Sequence, residues 1–341
     1  MIEVRCISRE ERDSWNRYIE QSPQSIAWQI YEWSEVVARH YEYRFFPLAA
    51  LEDTRVVGVL PLYLGAIGNG RGFISVPFAV AGGVVGESEE VHAALVGRAI
   101  AMSREEGGLP VVLKQYKLRM PGGLKTDENY INSELPLHRD MGILRQCVGA
   151  DNLKNAECAL DLGLEVEYPA EDIPAFYDLL LRYNHAQGIP CVSEKWIRTL
   201  IDFGMYSIAL GRYKGSVLAG TMVKKFKKTV SFPFSCVLPR KREGELAAYG
   251  LYWNLISRFA AEGFEIFHSG RIPKNQETAR YRLGWGGTLF PYYYQYYPNT
   301  SGPTEFTTRR GLKRRIASFV WKRLPIAAAR SLGPRLVRRF P

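Results

Sequence analysis

Ile74-Ser75-Val76-Pro77-Phe78 and Val230-Ser231-Phe232-Pro233-Phe234 share one pattern, apolar-Ser-apolar-Pro-Phe, and what surrounds them recurs in the same order. Each reads as a short strand stopped at a proline, which cannot donate to a sheet. Upstream of the first, Phe46 to Leu62 reads as strand, charged tight turn, strand, with Gly58 inside the second strand. Upstream of the second, Tyr206 to Met222 does the same, with Gly220 in the matching place. Downstream come two helical stripes, Val91, Leu95 and Ala99 within Glu89 to Glu106, and Leu251, Leu255 and Phe259 within Ala247 to Glu262. Both stretches close with Glu-Gly, at Gly107 and Gly263, and glycine is the expected helix stop. From Ser75 to Gly107 is 32 residues, and from Ser231 to Gly263 is also 32. A strand then leaves each helix, Leu109 to Gln115 and Phe264 to Ser269. Agreement in both order and spacing marks an internal duplication.

An antiparallel hairpin, a further strand, a helix and a strand make the order of a mixed-sheet N-acyltransferase core. The expected fold is α/β (α+β), two copies of one mixed-sheet unit followed by a basic amphipathic helical tail. Helical runs bracket each copy, at Glu10 to Ile19, Tyr31 to His40, Ile173 to His185 and Glu194 to Asp202. A chain of 341 residues suits two domains of about 150. The boundary is expected between Asn132 and Leu162, which divides the chain into 1–150, 151–300 and a tail, 301–341. Ala156-Glu-Cys-Ala-Leu160 is expected as the short strand that opens the second copy.

Charge separates the tail from the rest. The chain has 45 Lys and Arg against 35 Asp and Glu, and from Glu305 to Pro341 there are 11 basic residues and one acid. That leaves 34 of each sign before Glu305, so the body is neutral and the basic balance belongs to the tail. Leu312, Ile316, Phe319, Val320 and Leu324 fall on one helical face, with Arg310, Lys313, Arg314 and Lys322 mostly elsewhere and Trp321 at the border. Three readings follow: contact with an anionic membrane surface through Arg310, Lys313, Arg314, Phe319, Trp321 and Lys322, packing on the body, or binding of tRNA phosphates. The apolar face places the membrane first, because RNA alone does not require it.

The start of the chain alternates charge and has no apolar core of signal-peptide length, so a cytosolic protein is expected. No run reaches the roughly 18 apolar residues of a membrane-spanning helix, which makes any membrane contact peripheral, at the inner face of the cytoplasmic membrane. Five widely spaced cysteines without Cys-x-x-Cys or a His cluster argue for reduced thiols and no metal.

Phe267-His-Ser-Gly-Arg-Ile272 and Tyr281-Arg-Leu-Gly-Trp-Gly286, followed by Pro291-Tyr-Tyr-Tyr-Gln-Tyr-Tyr297, resemble the closing motif of the Fem-type peptidoglycan-bridge aminoacyltransferase family. The similarity is to the branch associated with exosortase and exopolysaccharide genes. Trp33, His40, Tyr41, Gly58-Val-Leu-Pro-Leu62, Ser75-Val-Pro-Phe78, Gly188-Ile-Pro190, Leu324-Pro and Gly333-Pro resemble it too, so the likeness covers nearly the whole chain. It implies two tandem GCN5-related N-acyltransferase-like domains with mixed β-sheets, and transfer of an acyl or aminoacyl group to an amine on a lipid-linked cell-envelope or exopolysaccharide precursor. The donor is a co-substrate, aminoacyl-tRNA or acyl-CoA, and no cofactor is held permanently. His268 stands where the branch has Asp, Ile272 where it has Ser, and Tyr281-Arg282 replaces Phe-Lys. These changes leave open a catalytically silent module that binds a glycan or an assembly partner. Neither copy has the glycine loop by which acetyl-CoA enzymes hold pyrophosphate, which disfavours a simple acetyl transfer.

Transfer to an amine needs a proton acceptor, a donor to the carbonyl oxygen as it gains charge, and anchors for an anionic handle. Arg271 leaves the strand end beside Gly270, where backbone can approach a ligand, and its guanidinium suits phosphate or carboxylate. Arg240, Lys241 and Arg242 precede a helix and read either as a phosphate cradle or as a solvated basic loop. His268 is the candidate base, and its alternative is an ordinary buried or capping histidine. Arg280 and Arg282 are further substrate-binding candidates. Tyr281 and Trp285 either wall the substrate channel or belong to the core. With no nucleophile set in view, direct transfer is expected rather than a covalent enzyme intermediate.

Overall fold

In the computed structural model the described residues are 2–239, 242–274, 278–298, 312–339 and 341. They form two compact units, one of Met1–Ile131, Phe290–Thr308 and Arg338–Pro341, the other of Asn132–Leu289 and Arg309–Val337. The first contains β1 (Ile2–Cys6), α1 (Arg12–Gln21), α2 (Trp33–Ala38), β2 (Arg44–Glu52), β3 (Arg55–Ile67), β4 (Gly70–Ser75), β5 (Val85–Gly86), α3 (Glu89–Glu105), β6 (Val111–Tyr116) and the start of β7 (Lys125–Pro136). The second continues with α4 (Met141–Cys147), α5 (Ala150–Asp161), β8 (Glu165–Ala170), α6 (Ile173–Gln187), α7 (Glu194–Asp202), β9 (Ser207–Tyr213), β10 (Ser216–Phe226), β11 (Thr229–Ser231), β12 (Cys236–Val237), α8 (Arg242–Glu262), β13 (Ile266–His268), β14 (Ile272–Pro273) and α9 (Thr278–Leu283). After these come β15 (Thr288–Tyr297), α10 (Leu312–Trp321) and α11 (Ile326–Val337).

The duplication is visible in the topology. In the first unit β2, β3 and β4 form an antiparallel meander, α3 crosses over, and β6 returns parallel to β4 with Phe73 opposite Val111. In the second, β9, β10 and β11 form the meander, α8 crosses over, and β13 returns parallel to β11 with Val230 opposite Phe267. The hairpin turns use the left-handed backbone their tightness demands, at Asp53 in one and at Lys214 and Gly215 in the other. Each crossover helix covers an apolar core. Leu60, Leu62, Phe73 and Leu113 lie under Leu95 and Ala99 of α3, and Val223, Val230, Phe267 and Leu135 lie under Leu255 and Phe259 of α8.

Three expectations change. The compact units differ from the spans 1–150, 151–300 and 301–341, because β15 turns back from the second unit and pairs antiparallel with β6, Tyr294 opposite Lys114. The tail likewise divides, 309–337 with the second unit and 338–341 with the first. Ala156-Glu-Cys-Ala-Leu160 is helical, within α5. Asn152, Ala156 and Ala159 form its buried stripe, and Gly250 of α8 would bring a Cβ within 3.0 Å of Ala159 Cβ. Small residues on both helices let them meet closely, and a five-residue apolar piece carries no period of its own.

The third change is one of phase. A Cβ on Gly58 would overlap Val91 of α3, whereas one on Gly220 would meet the ring of Phe176 on α6 at 3.0 Å. The glycines that match in sequence therefore face opposite sides of their sheets. Since side chains alternate along a strand, the matched patterns sit one residue out of step with the sheet faces.

Candidate functional site

In a crossover unit the carboxyl ends of the parallel strands lie on the side where the helix starts, and where their pairing stops a crevice is left for a ligand. In the second unit this happens after Ser231 and His268. The residues that end up side by side come from four strands: Lys224 lies opposite Ser231, Ser231 opposite His268, and His268 opposite Glu134. Partners in register share a face, and here it is the face turned away from α8, since Val230, Phe267 and Leu135 alternate with them into the α8 core. Neighbouring strands lie about 4.8 Å apart, so the row from Lys224 to Glu134 spans about 14 Å.

Lys224 is 4% exposed and His268 7%. The Lys224 ammonium position lies 4.5 Å from the centre of the Tyr206 ring, which is itself buried. Burial alone drives the proton affinity of Lys224 down, to a pKa of about 7. His268 accepts a hydrogen bond at Nδ1 from the Gly270 amide, 3.1 Å away. A backbone N–H can only donate, so Nδ1 carries the lone pair and the ring proton of the neutral form is on Nε2. The His268 ring thus carries its N–H on Nε2, and its lone pair is engaged by its own loop.

That loop is fixed from several sides. Ser269 donates its amide to Ser133 O at 3.0 Å, and Ser133 donates its hydroxyl to Gly286 O. Gly270 takes a left-handed φ of 79°, and Arg282 donates from Nη1 to Arg271 O at 3.0 Å. Arg282 is therefore a strap on the loop that displays Arg271. Arg271 and Arg280 are exposed, as is Arg242 at the start of α8, while Arg240 and Lys241 lie outside the described residues. After β11, Thr221, Ser235 and Tyr252 form a chain of hydroxyls at 2.8 and 2.6 Å that pins the turn carrying Phe234, whose φ is 56°.

Tyr281 and Trp285 belong to the core rather than to a channel. Trp285 is fully buried and stacks on Tyr252 at 5.7 Å, and Tyr281 packs edge-on against Tyr249 and Trp285. Burial raises the Tyr281 phenol well above its usual range.

The sequence missed Lys224, Ser231 and Glu134. Lys224 stands in Lys224-Lys225-Phe226-Lys227-Lys228, which reads as an ordinary charged strand end, and only register singles out one lysine of the four for burial. The corresponding row of the first unit is apolar. There Phe45 lies opposite Tyr63, Tyr63 opposite Ile74, and Ile74 opposite Val112.

The tail helices pack on the second unit. His185 pairs with Leu324 O at 2.9 Å, Arg330 meets Asp178 at 3.3 Å, and the backbone of Gly188 lies against Ser318. Trp321, expected at a membrane border, is instead buried, because it shares with Ser318 the inward side of α10. Ile316, Phe319 and Val320 point outward at 55%, 55% and 52% exposure, and Lys322 is exposed beside them. Arg310 lies outside the described residues, as do the side chains of Lys313 and Arg314. Among the described residues no cluster of His, Cys, Asp and Glu fits a metal ion, and no helix is long and apolar enough to cross a membrane.

No family model and no curated protein sequence matches the chain. Solved structures do. FemX superposes with a TM-score of 0.65 at 12% identity, covering 87% of this chain and 98% of FemX. The C-terminal domain of a putative lysylphosphatidylglycerol synthetase from Agrobacterium fabrum gives 0.55 at 14% identity, covering 85% and 92%. A tandem GNAT protein from the clavulanic acid biosynthesis pathway gives 0.55 at 12% identity, covering 86% and 98%. The chain has the Fem-like tandem fold of two GCN5-related N-acyltransferase units.

Proposed function

We propose that this protein transfers an acyl or aminoacyl group to an amine on a lipid-linked cell-envelope or exopolysaccharide precursor at the cytoplasmic membrane face, and that the second unit is the reacting one. The observation that carries the reading is the polar row Lys224, Ser231, His268 and Glu134 at diverging parallel strands, in a fold where the other copy has Tyr63, Ile74 and Val112. At this row one copy is apolar, and its repeat carries groups that move or hold protons.

In this reading the Nε2–H of His268 and the hydroxyl of Ser231 donate to the carbonyl oxygen as it gains charge in the transition state. His268 is not the base, since its lone pair is held by Gly270. Arg271, exposed on a loop that Arg282 straps down, anchors an anionic group of the donor, with Arg280 and Arg242 as lesser contributors. The donor is an aminoacyl-tRNA or an acyl-CoA. The name of the Agrobacterium fabrum neighbour joins a lysyl group to a membrane lipid, the class of chemistry assigned here. The tail holds the enzyme at its substrate: Ile316, Phe319 and Val320 enter the headgroup boundary and the basic residues face anionic lipid, each contributing about 1 kcal/mol.

The test is transfer by purified protein from charged tRNA or acyl-CoA pools to amine-bearing lipid-linked glycans. Wild type should transfer, and Arg271→Ala and His268→Ala should each lose about tenfold to a thousandfold. Wild type that binds the glycan yet transfers from no donor would instead make the chain a silent binding module. For the tail, Phe319→Glu should weaken sedimentation with anionic vesicles, and equal sedimentation would sink the membrane assignment.

A further inference from the structure

We infer that Lys224 is the proton acceptor of the second unit, taking the proton from the acceptor substrate's ammonium so that its amine can attack the acyl carbonyl. This deepens the acyl-transfer reading and rests on it.

The argument begins with the fold's own internal control. In the first unit the position on the long hairpin strand that faces away from the crossover helix, opposite the end of the parallel strand, is Tyr63, with Phe45 on one side and Ile74 on the other. The repeat holds Tyr206, Lys224 and Ser231 there. A place that accepts an aromatic side chain accepts a lysine only at a cost, because the ammonium must give up its hydration on burial. That cost is sustained at the strand divergence, where a ligand would enter, and not on a solvated edge.

The surroundings suit a base. From the residue before β9 the Tyr206 phenol ring faces Lys224, on β11 Ser231 lies opposite it, and beyond stand His268 and Glu134. Burial brings the lysine to a pKa of about 7, so a large share of it is neutral amine near neutral pH. A base works best when its pKa is close to the working pH. The face of Tyr206, 4.5 Å away, then favours the ammonium that forms once the proton is taken up.

The step balances. The substrate R–NH3+ gives one proton to neutral Lys224, and the freed amine attacks the carbonyl of an activated acyl ester or thioester. The C–N bond forms, the carbon–oxygen or carbon–sulfur bond breaks, and the proton that the new amide sheds leaves with the alcohol or thiol. Lys224 returns its own proton to solvent, ready for the next turn.

The experiment uses full-length wild type, Lys224→Met and Lys224→Arg, and measures transfer to an amine-bearing lipid-linked glycan from pH 5.5 to 9. A second, activity-independent measurement follows lysine Nζ signals in 15N-labelled protein over the same range. Expected are a wild-type kcat/KM that rises with pH to a plateau above about 7, and a kcat loss of about 100-fold or more in Lys224→Met with KM little changed. Lys224→Arg, which stays charged, should be equally poor, and one Nζ signal titrating near 7 should be missing in Lys224→Met. A Lys224→Met enzyme within threefold of wild type, or with the same acid limb, overturns the inference while leaving acyl transfer intact. So does an Nζ signal for Lys224 that titrates above 9. Wild type that transfers from no donor overturns both.

Discussion

The first unit's buried Lys114, on the face of its sheet turned from the crossover helix, donates to the carbonyls of Val76, Ala79 and Pro341 at 3.5, 3.0 and 2.9 Å. Its hydrogens are used to close the strand divergence with the loop after β4 and the end of the chain. On the same face of the second unit Lys224 lies over an aromatic ring beside Ser231, at the divergence itself. One copy has turned its buried cation into a structural clasp, and the other keeps one that burial has made easy to deprotonate. Duplication lets a fold do this, because one copy can hold the architecture while its repeat tolerates groups that cost stability.

The sharpest way to break this contrast is a pair of substitutions whose effects should have opposite signs. Lys224 is protonated in the unfolded chain up to about pH 10.5 and in the folded protein only below about 7. Its burial therefore costs stability in full below pH 7, and the cost fades as pH rises to 10.5. Lys224→Met should raise unfolding stability by up to about 4 kcal/mol at pH 6, with the gain disappearing near pH 10, as read by urea denaturation across pH. Lys114→Met should lower stability by about 3 kcal/mol, because it strands buried carbonyls. If both substitutions moved stability in the same direction, the two lysines would not differ as argued.

A second comparison concerns the matched glycines. Gly58→Ala should cost about 2 kcal/mol against Val91 of α3, and the added change Val91→Ala should restore much of it. Gly220→Ala should cost about 1 kcal/mol against Phe176 of α6 and should be indifferent to α8. Equal dependence on the crossover helices would mean that the copies are in phase after all. The smallest effect is expected at the serines. Ser75 is fully buried and accepts from the Lys114 amide at 2.8 Å, so Ser75→Ala should cost about 1 kcal/mol. Ser231→Ala should change stability by less than about 0.5 kcal/mol and be felt in transfer instead.

Much of the architecture was legible in the chain, because hairpins, proline stops and glycine-ended helices are written locally. The duplicated spacing from Ser75 to Gly107 and from Ser231 to Gly263 was enough to find both crossover units. What escaped was set by distant partners. Nothing near Tyr292 says that it will lie opposite Tyr116, and nothing in the matched serine patterns reveals that their sheets are one residue out of step. The site suffered most. Arg271 could be picked out beside its glycine, but Lys224 differs from Lys225, Lys227 and Lys228 only through pairing with Ser231. In the tail, helical period predicted an apolar face, while docking through Ser318 and Trp321 decided which side of α10 turns outward.

The return of β15 to the first unit also sets an order of assembly during synthesis. The edge of β6, finished at Tyr116, must wait for a partner that begins at Thr288, about 170 residues later. At roughly 5–20 residues per second a nascent chain carries that unpaired edge for on the order of ten to thirty seconds, while the whole second unit is made and can fold first. The copy that starts the chain is thus the last to be completed. A gene cut at the midpoint would release a first half without β15 and with the edge of β6 still open.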